Sequence, residues 1–223
     1  MVTEEPMATP TEKQILTLAQ WFSPAYPVGA FAYSHGLEWS VEAGDVVDAR
    51  TAQAWITDVL QHGAGWNDCL FIGSAYRAAS LQELKNINDT ALAFSASSER
   101  MMETRLQGEA FCGITASVWP VDLAGLCYPV AVGRAANLVG LPLTLSGQFY
   151  LHAFMANLVT AATRLVPLGQ TEGQQIIRDL TPLCQAIADT ALCANLSHLT
   201  STAFLGDIAA MKHETQYSRM FRT

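Results

Sequence analysis

Charge is what this sequence has least of. Asp, Glu, Lys and Arg make up 14% of its 223 residues, against about 25% in ordinary soluble domains. Only three residues are lysines: Lys13, Lys85 and Lys212. Hydrophobic residues reach 50%, and mean hydropathy is +0.19. So few charges cannot comfortably cover a monomer of this size. The chain therefore either crosses a membrane or hides surface against partners. A spanning helix needs about 20 mostly apolar residues, and the best stretch, 138–159, is interrupted by Pro142, Gln148, His152 and Asn157. The expectation is no membrane, and partner-covered surface instead.

Other absences narrow the class further. The formal net charge is −8, and no basic cluster is present, which excludes a nucleic-acid surface. The five cysteines, Cys69, Cys112, Cys127, Cys184 and Cys193, are an odd number without a C-x-x-C pair. They read as buried thiols of a reducing cytoplasm rather than a disulfide framework. Glu4 and Glu5 stand where a secretory leader would be basic and then apolar. Cytoplasmic location is the expectation.

What is present is helical nearly throughout. Thr9-Pro10-Thr11-Glu12 carries a capping residue, Pro at the first helical position and Glu at the third, predicting a helix over about 10–22. An irregular stretch with two prolines and a glycine follows, Ser23-Pro-Ala-Tyr-Pro-Val-Gly-Ala-Phe31. Asp48 caps a predicted helix whose apolar stripe is Trp55, Val59, His62 and Trp66, with His62 a satisfied core histidine. Ser95 to Ser98 open another helix through about Ser117. Leu151, Met155, Leu158, Ala162 and Leu165 recur at helical spacing, as do Ile176, Leu180, Leu183 and Ile187. Between them Val166-Pro-Leu-Gly169 makes a short turn, followed by a capping-box pattern at Thr171 and Gln174. Period-two alternation is too rare for a sheet. The prediction is one all-α domain over 1–223, a bundle of about eight to ten helices. Its N- and C-terminal ends, residues 1–9 among them, are expected to be mobile.

Catalytic motifs are missing. Lys13, Lys85 and Lys212 all lack the preceding glycine of a P-loop, and neither G-x-S-x-G nor H-E-x-x-H occurs. Gly133 to Gly140 is glycine-bounded without a preceding strand and reads as close helix packing. His35 and Glu38 at i and i+3, with Glu42 one turn on, would share a helix face and suit Zn²⁺, Ni²⁺ or Fe²⁺; two or three ligands make His35 a weak metal candidate. Cys112, between Phe111 and Gly113, has no cation beside it in the sequence to lower its pKa and reads as core. In the polar run 98–109, Arg105 and Glu109 are spaced to pair. Glu99 and Glu103, four apart, repel unless a cation sits between them.

The last residues, His213 to Thr223, concentrate Tyr217, Arg219, Phe221 and Arg222 in a chain poor in charge. Aromatic and Arg side chains anchor interfaces, so this tail reads as a docking peptide.

Four blocks in order then resemble one family. Ser23 to Glu38, Glu99-Arg-Met-Met-Glu103 with Gln107-Gly108, Arg164 to Gln170, and His213 to Thr223 look like the urease accessory protein UreF family. Departures are Ala30, where the family commonly has a second glycine, His35, where it often has Gln, and Arg164, where it often has Lys. The resemblance implies a non-enzymatic helical scaffold that dimerises, binds UreD (also called UreH) and recruits the GTPase UreG for GTP-dependent nickel insertion into apo-urease. It also implies no stably bound cofactor, with nickel as cargo in transit. On that reading Tyr217, Arg219, Phe221 and Arg222 dock the UreD-like partner. Tyr26, Pro27, Gly29, Phe31, Tyr33, Glu38 and Arg164 form the UreG-like surface. Two alternatives stand beside it: a helical small-molecule-binding protein, and a metal-dependent enzyme centred on His35, Glu38 and Glu42.

Overall fold

The computed structural model describes residues 9–223. All but the last residue of the lead-in expected to be mobile, 1–9, lies outside the described residues. Among the described residues the chain forms ten α-helices and no strand. They are α1 (Glu12–Trp21), α2 (Leu37–Glu42), α3 (Ala49–His62), α4 (Ala64–Arg77), α5 (Leu81–Ala93), α6 (Ser98–Val118), α7 (Tyr128–Val139), α8 (Leu143–Leu165), α9 (Gln170–Ala191) and α10 (Phe204–His213). Two short 3-10 turns, Ala30–Ala32 and Leu196–His198, lie in the connections.

Capping chemistry sets the helix starts, with two offsets from expectation. Asp48 accepts the Thr51 N–H at 2.7 Å and starts α3 as predicted. At α1 the box is Thr11 with Gln14, two residues later than Thr9 and Glu12. At α9 the turn is shorter than expected. The helix begins at Gln170, and the Glu172 carboxylate accepts the Gly169 N–H at 2.8 Å. Thr171 is already inside the helix and caps nothing.

The buried stripe of α3 also differs. Ala52, Ile56, Val59 and Leu60 face inward, while His62 is exposed. The chain breaks at Gly63, so Trp66 belongs to α4 and cannot continue the α3 stripe. Trp55 packs partly buried against the same core.

Helices α8 and α9 form the antiparallel pair expected from their periodicity, burying Leu151, Met155, Leu158 and Ala162 against Ile176, Leu180 and Ile187. Helices α4 and α7 pack tightly together. A Cβ on Gly133 would lie 2.3 Å from the Ile72 carbonyl oxygen, so only hydrogen fits there. The same constraint recurs where α10 crosses α2: Gly36, at φ +84°, would place a Cβ 2.5 Å from the Ala210 backbone nitrogen. That crossing lays the C-terminal segment over 34–42 and the start of α6.

Candidate partner-docking site

The segment 22–36 reaches its place through local backbone chemistry. Gly29 adopts the left-handed conformation (φ 74°) before the 3-10 turn. His35, a non-glycine residue, also has positive φ (58°), followed at once by Gly36. Such a backbone persists only when its surroundings hold it. Here the imidazole is wedged against Phe154, ring centroids 4.6 Å apart. Its Nε2 lies 2.8 Å from Arg100 Nη1 and 2.9 Å from Glu103 Oε1. Burial, then the Arg100 charge, lowers its pKa.

His35 therefore precedes α2 and shares no helix face with Glu38. The expected His35–Glu38–Glu42 metal face does not form. Glu38 turns to His213 and the tail, and Glu42 accepts from Gln216. Among the described residues no three His, Cys, Asp or Glu side chains are placed to hold a metal ion.

The C-terminal segment is anchored rather than loose, contrary to the expectation of a mobile end. Glu38 is its clamp: the N–H groups of Met220 and Phe221 donate to its carboxylate at 2.6 and 2.9 Å. The Arg222 N–H donates to Ala32 O at 2.8 Å. The Ser34 N–H and hydroxyl both donate to the main-chain oxygen of Thr223, at 2.7 and 2.5 Å. The Thr223 hydroxyl donates to Glu103 at 2.9 Å. Phe221 is 5% exposed and joins the core, with the Arg164 guanidinium carbon 4.6 Å from its ring centroid.

The Glu99–Glu103 repulsion is relieved by Arg219, Arg100 and two histidines of this same chain. Glu99 meets His213 Nδ1 at 2.7 Å and Arg219 Nη1 at 2.6 Å. Glu103 pairs with Arg100 and His35 and accepts from Gln107. Burial alone would raise the Glu103 carboxyl, but Arg100 and His35 outweigh it and pull it down to about 2. Glu214 reaches back to accept the Ser98 N–H at 2.7 Å, capping α6. The pairing of Arg105 with Glu109 is not among the ion pairs formed. Beside this network Asp68 accepts from the Tyr150 hydroxyl at 2.7 Å, and burial raises its carboxyl to about 6. It borders a cavity of about 90 Å³ that His35 and Arg100 also line.

The expected interface residues divide into two groups. Tyr26, Tyr33, Glu38 and Phe221 are buried, so none offers its side chain to a partner directly. Tyr26 bonds the Thr115 hydroxyl at 2.8 Å. Burial, reinforced by Glu103, raises the Tyr33 hydroxyl. Pro27, Phe31, Arg164, Tyr217, Arg219 and Arg222 are exposed, and Gly29 is partly so. Sequence reasoning missed a row on α10: Phe204, Leu205, Ile208 and Met211 all face solvent. Their i, i+4, i+7 spacing was the signal available.

The "Urease accessory protein UreF" of Roseobacter denitrificans is 51% identical over 208 residues, covering 93% of each chain. A family model described as UreF matches residues 46–181. The chain belongs to the UreF family. The UreF proteins of a Ruegeria species (strain TM1040) and Rhodopseudomonas palustris (strain BisB5) are 50% and 43% identical, covering 96% and 98% of this chain and 100% and 95% of their own. The family model spans α3 to much of α9. Two of the four resembling blocks, 99–108 and 164–170, lie inside it. The blocks 23–38 and 213–223, which clasp each other, lie outside, and there the similarity to UreF is carried by the full-length relatives.

Proposed function

We propose that this chain is a non-enzymatic scaffold of urease maturation. It binds a UreD-like (UreH-like) partner and recruits a UreG-like GTPase for GTP-dependent nickel insertion into apo-urease. One observation carries the reading: an open apolar face beside a tail that is locked in place. Phe204, Leu205, Ile208 and Met211 project from α10, with Leu205 79% exposed, and Tyr217 and Met220 continue beyond it. A contiguous exposed apolar face marks an interaction surface. Holding its neighbourhood rigid lowers the ordering cost of association.

On this reading the UreD-like partner docks on the α10 face together with Tyr217, Arg219 and Arg222. The GTPase meets Pro27, Gly29, Phe31 and Arg164, which Tyr26, Tyr33 and Glu38 support from beneath. Nickel is cargo that passes between partners, and the scaffold works as a homodimer.

The test is co-purification with the UreD-like partner, alongside urease activity and nickel content. Leu205→Glu with Ile208→Glu should retain helicity and lose the partner, leaving urease inactive and nickel-poor. A complex and a nickel content equal to those of the unaltered chain would overturn the reading. Phe31→Ala should retain the UreD-like partner and weaken GTPase recruitment.

A further inference from the structure

Five of the methionines lie among the described residues, and four of them are exposed: Met101 and Met102 in the first turns of α6, Met211 on α10 and Met220 in the tail. The fifth, Met155, is fully buried in α8. The exposed four belong to elements that touch one another. Glu214, just beyond α10, caps the first residues of α6, and Arg219, one residue before Met220, pairs with Glu99. Met102, Met211 and Met220 are 58%, 53% and 55% exposed, so their side chains are open to a small oxidant such as peroxide without unfolding.

We infer that this methionine group is a modification site whose oxidation weakens partner docking. The inference rests on the reading of the α10 and tail face as the docking surface. In the step itself, a peroxide O–O bond breaks and one oxygen joins the thioether sulfur. The sulfur is oxidised by two electrons to the sulfoxide, and the remaining oxygen leaves as water or an alcohol. The change replaces a flexible apolar side chain with a polar one, which opposes burial in an interface. Sulfoxide reduction reverses it.

Two measurements on the full chain test the inference. The first is peptide mapping after hydrogen peroxide followed by a thiol reductant, which reverses disulfide and sulfenate formation at the exposed Cys193 and leaves sulfoxides. Met102, Met211 and Met220 should carry the added oxygen while Met155 stays unmodified. Equal oxidation of Met155, or none at the three, would overturn the site assignment. The second is the ratio of Kd for the UreD-like partner after and before peroxide, taken within each protein. Wild type should weaken about tenfold, as expected for a few partly buried side chains made polar. The Met101→Leu, Met102→Leu, Met211→Leu, Met220→Leu variant should hold a ratio near one, whatever its starting affinity. An unchanged ratio in wild type despite mapped sulfoxides would overturn the regulatory effect. A chain that fails to bind before any peroxide sinks the docking reading instead, and mapping still decides the site.

Discussion

Arg164 lies over the ring of Phe221, the guanidinium carbon 4.6 Å from the ring centroid. One was expected at a GTPase surface and the other in a peptide for a different partner. The contact makes them parts of one assembly: the ring fills the core while the cation covers it from the solvent side.

Phe221→Ala should therefore cost about 3 kcal/mol, the lower end for a buried Phe truncation. Arg164→Ala, which removes an exposed cation from a ring face, should cost about 1 kcal/mol or less. Urea unfolding of the two variants measures both. Equal losses would show that the ring is not part of the core.

Glu38→Ala removes the shared acceptor of the Met220 and Phe221 N–H groups. Leaving buried donors unpaired costs about 1–3 kcal/mol. The two amides should then exchange with deuterium far faster than in wild type, while α8 and α9 keep their protection. Unchanged exchange at 220 and 221 would refute the clamp.

Two carboxyls set opposite pH trends. Glu103 is pulled from its ordinary 4.5 down to about 2 in the fold, so its contribution is complete above about pH 4.5 and fades as pH falls toward 2. Asp68 is raised from 3.8 to about 6. The folded state holds its proton more tightly, so stability declines as pH rises from about 4 to 6. Asp68→Asn keeps an acceptor for Tyr150 and should stabilise the protein by about 2 kcal/mol at pH 7. At pH 3 it should change little. Thermal melts across pH 3–8 decide, and an Asn variant no more stable at pH 7 refutes the burial argument.

Gly133→Ala introduces a Cβ 2.3 Å from a carbonyl oxygen of α4. Backbone on both sides leaves no flexible atom to yield, so the helices must separate. The expected loss is about 3 kcal/mol, at the upper end for overpacking. For a chain of this length that lowers Tm by roughly 6–12 °C. A melt within a degree of wild type would contradict the packing.

Local signals read well from the sequence. The Asp48 cap and the 151–162 stripe depend on residues three or four apart, and both take their predicted places. The condition attached to Glu99 and Glu103, that a cation must relieve them, also holds. One such cation, Arg100, lies between the two carboxylates in the sequence; the partners of Glu99 were not legible, because His213 and Arg219 come from 114 and 120 residues away. Aromatic content was ambiguous in the same way. Phe221, Tyr26 and Tyr33 looked like interface anchors, and in the fold all three rings are buried, Tyr26 against Thr115 and Phe221 beneath Arg164. A ring fit for an interface is equally fit for a core, and only three-dimensional placement separates them. The α10 row was missed because attention went to the residues beyond it.

The bonds from Ser34 to Thr223 span 189 residues. At a synthesis rate of roughly 5–20 residues per second, Ser34 waits about 10–40 s for that partner to be made. The clasp between the early segment and residues 220–223 therefore forms late on a nascent chain. A truncated translation product would display residues 32–38 unclasped, with Glu38 and Ser34 lacking their partners. Until residues 220–223 have been added, the 32–38 segment cannot reach its folded set of hydrogen bonds.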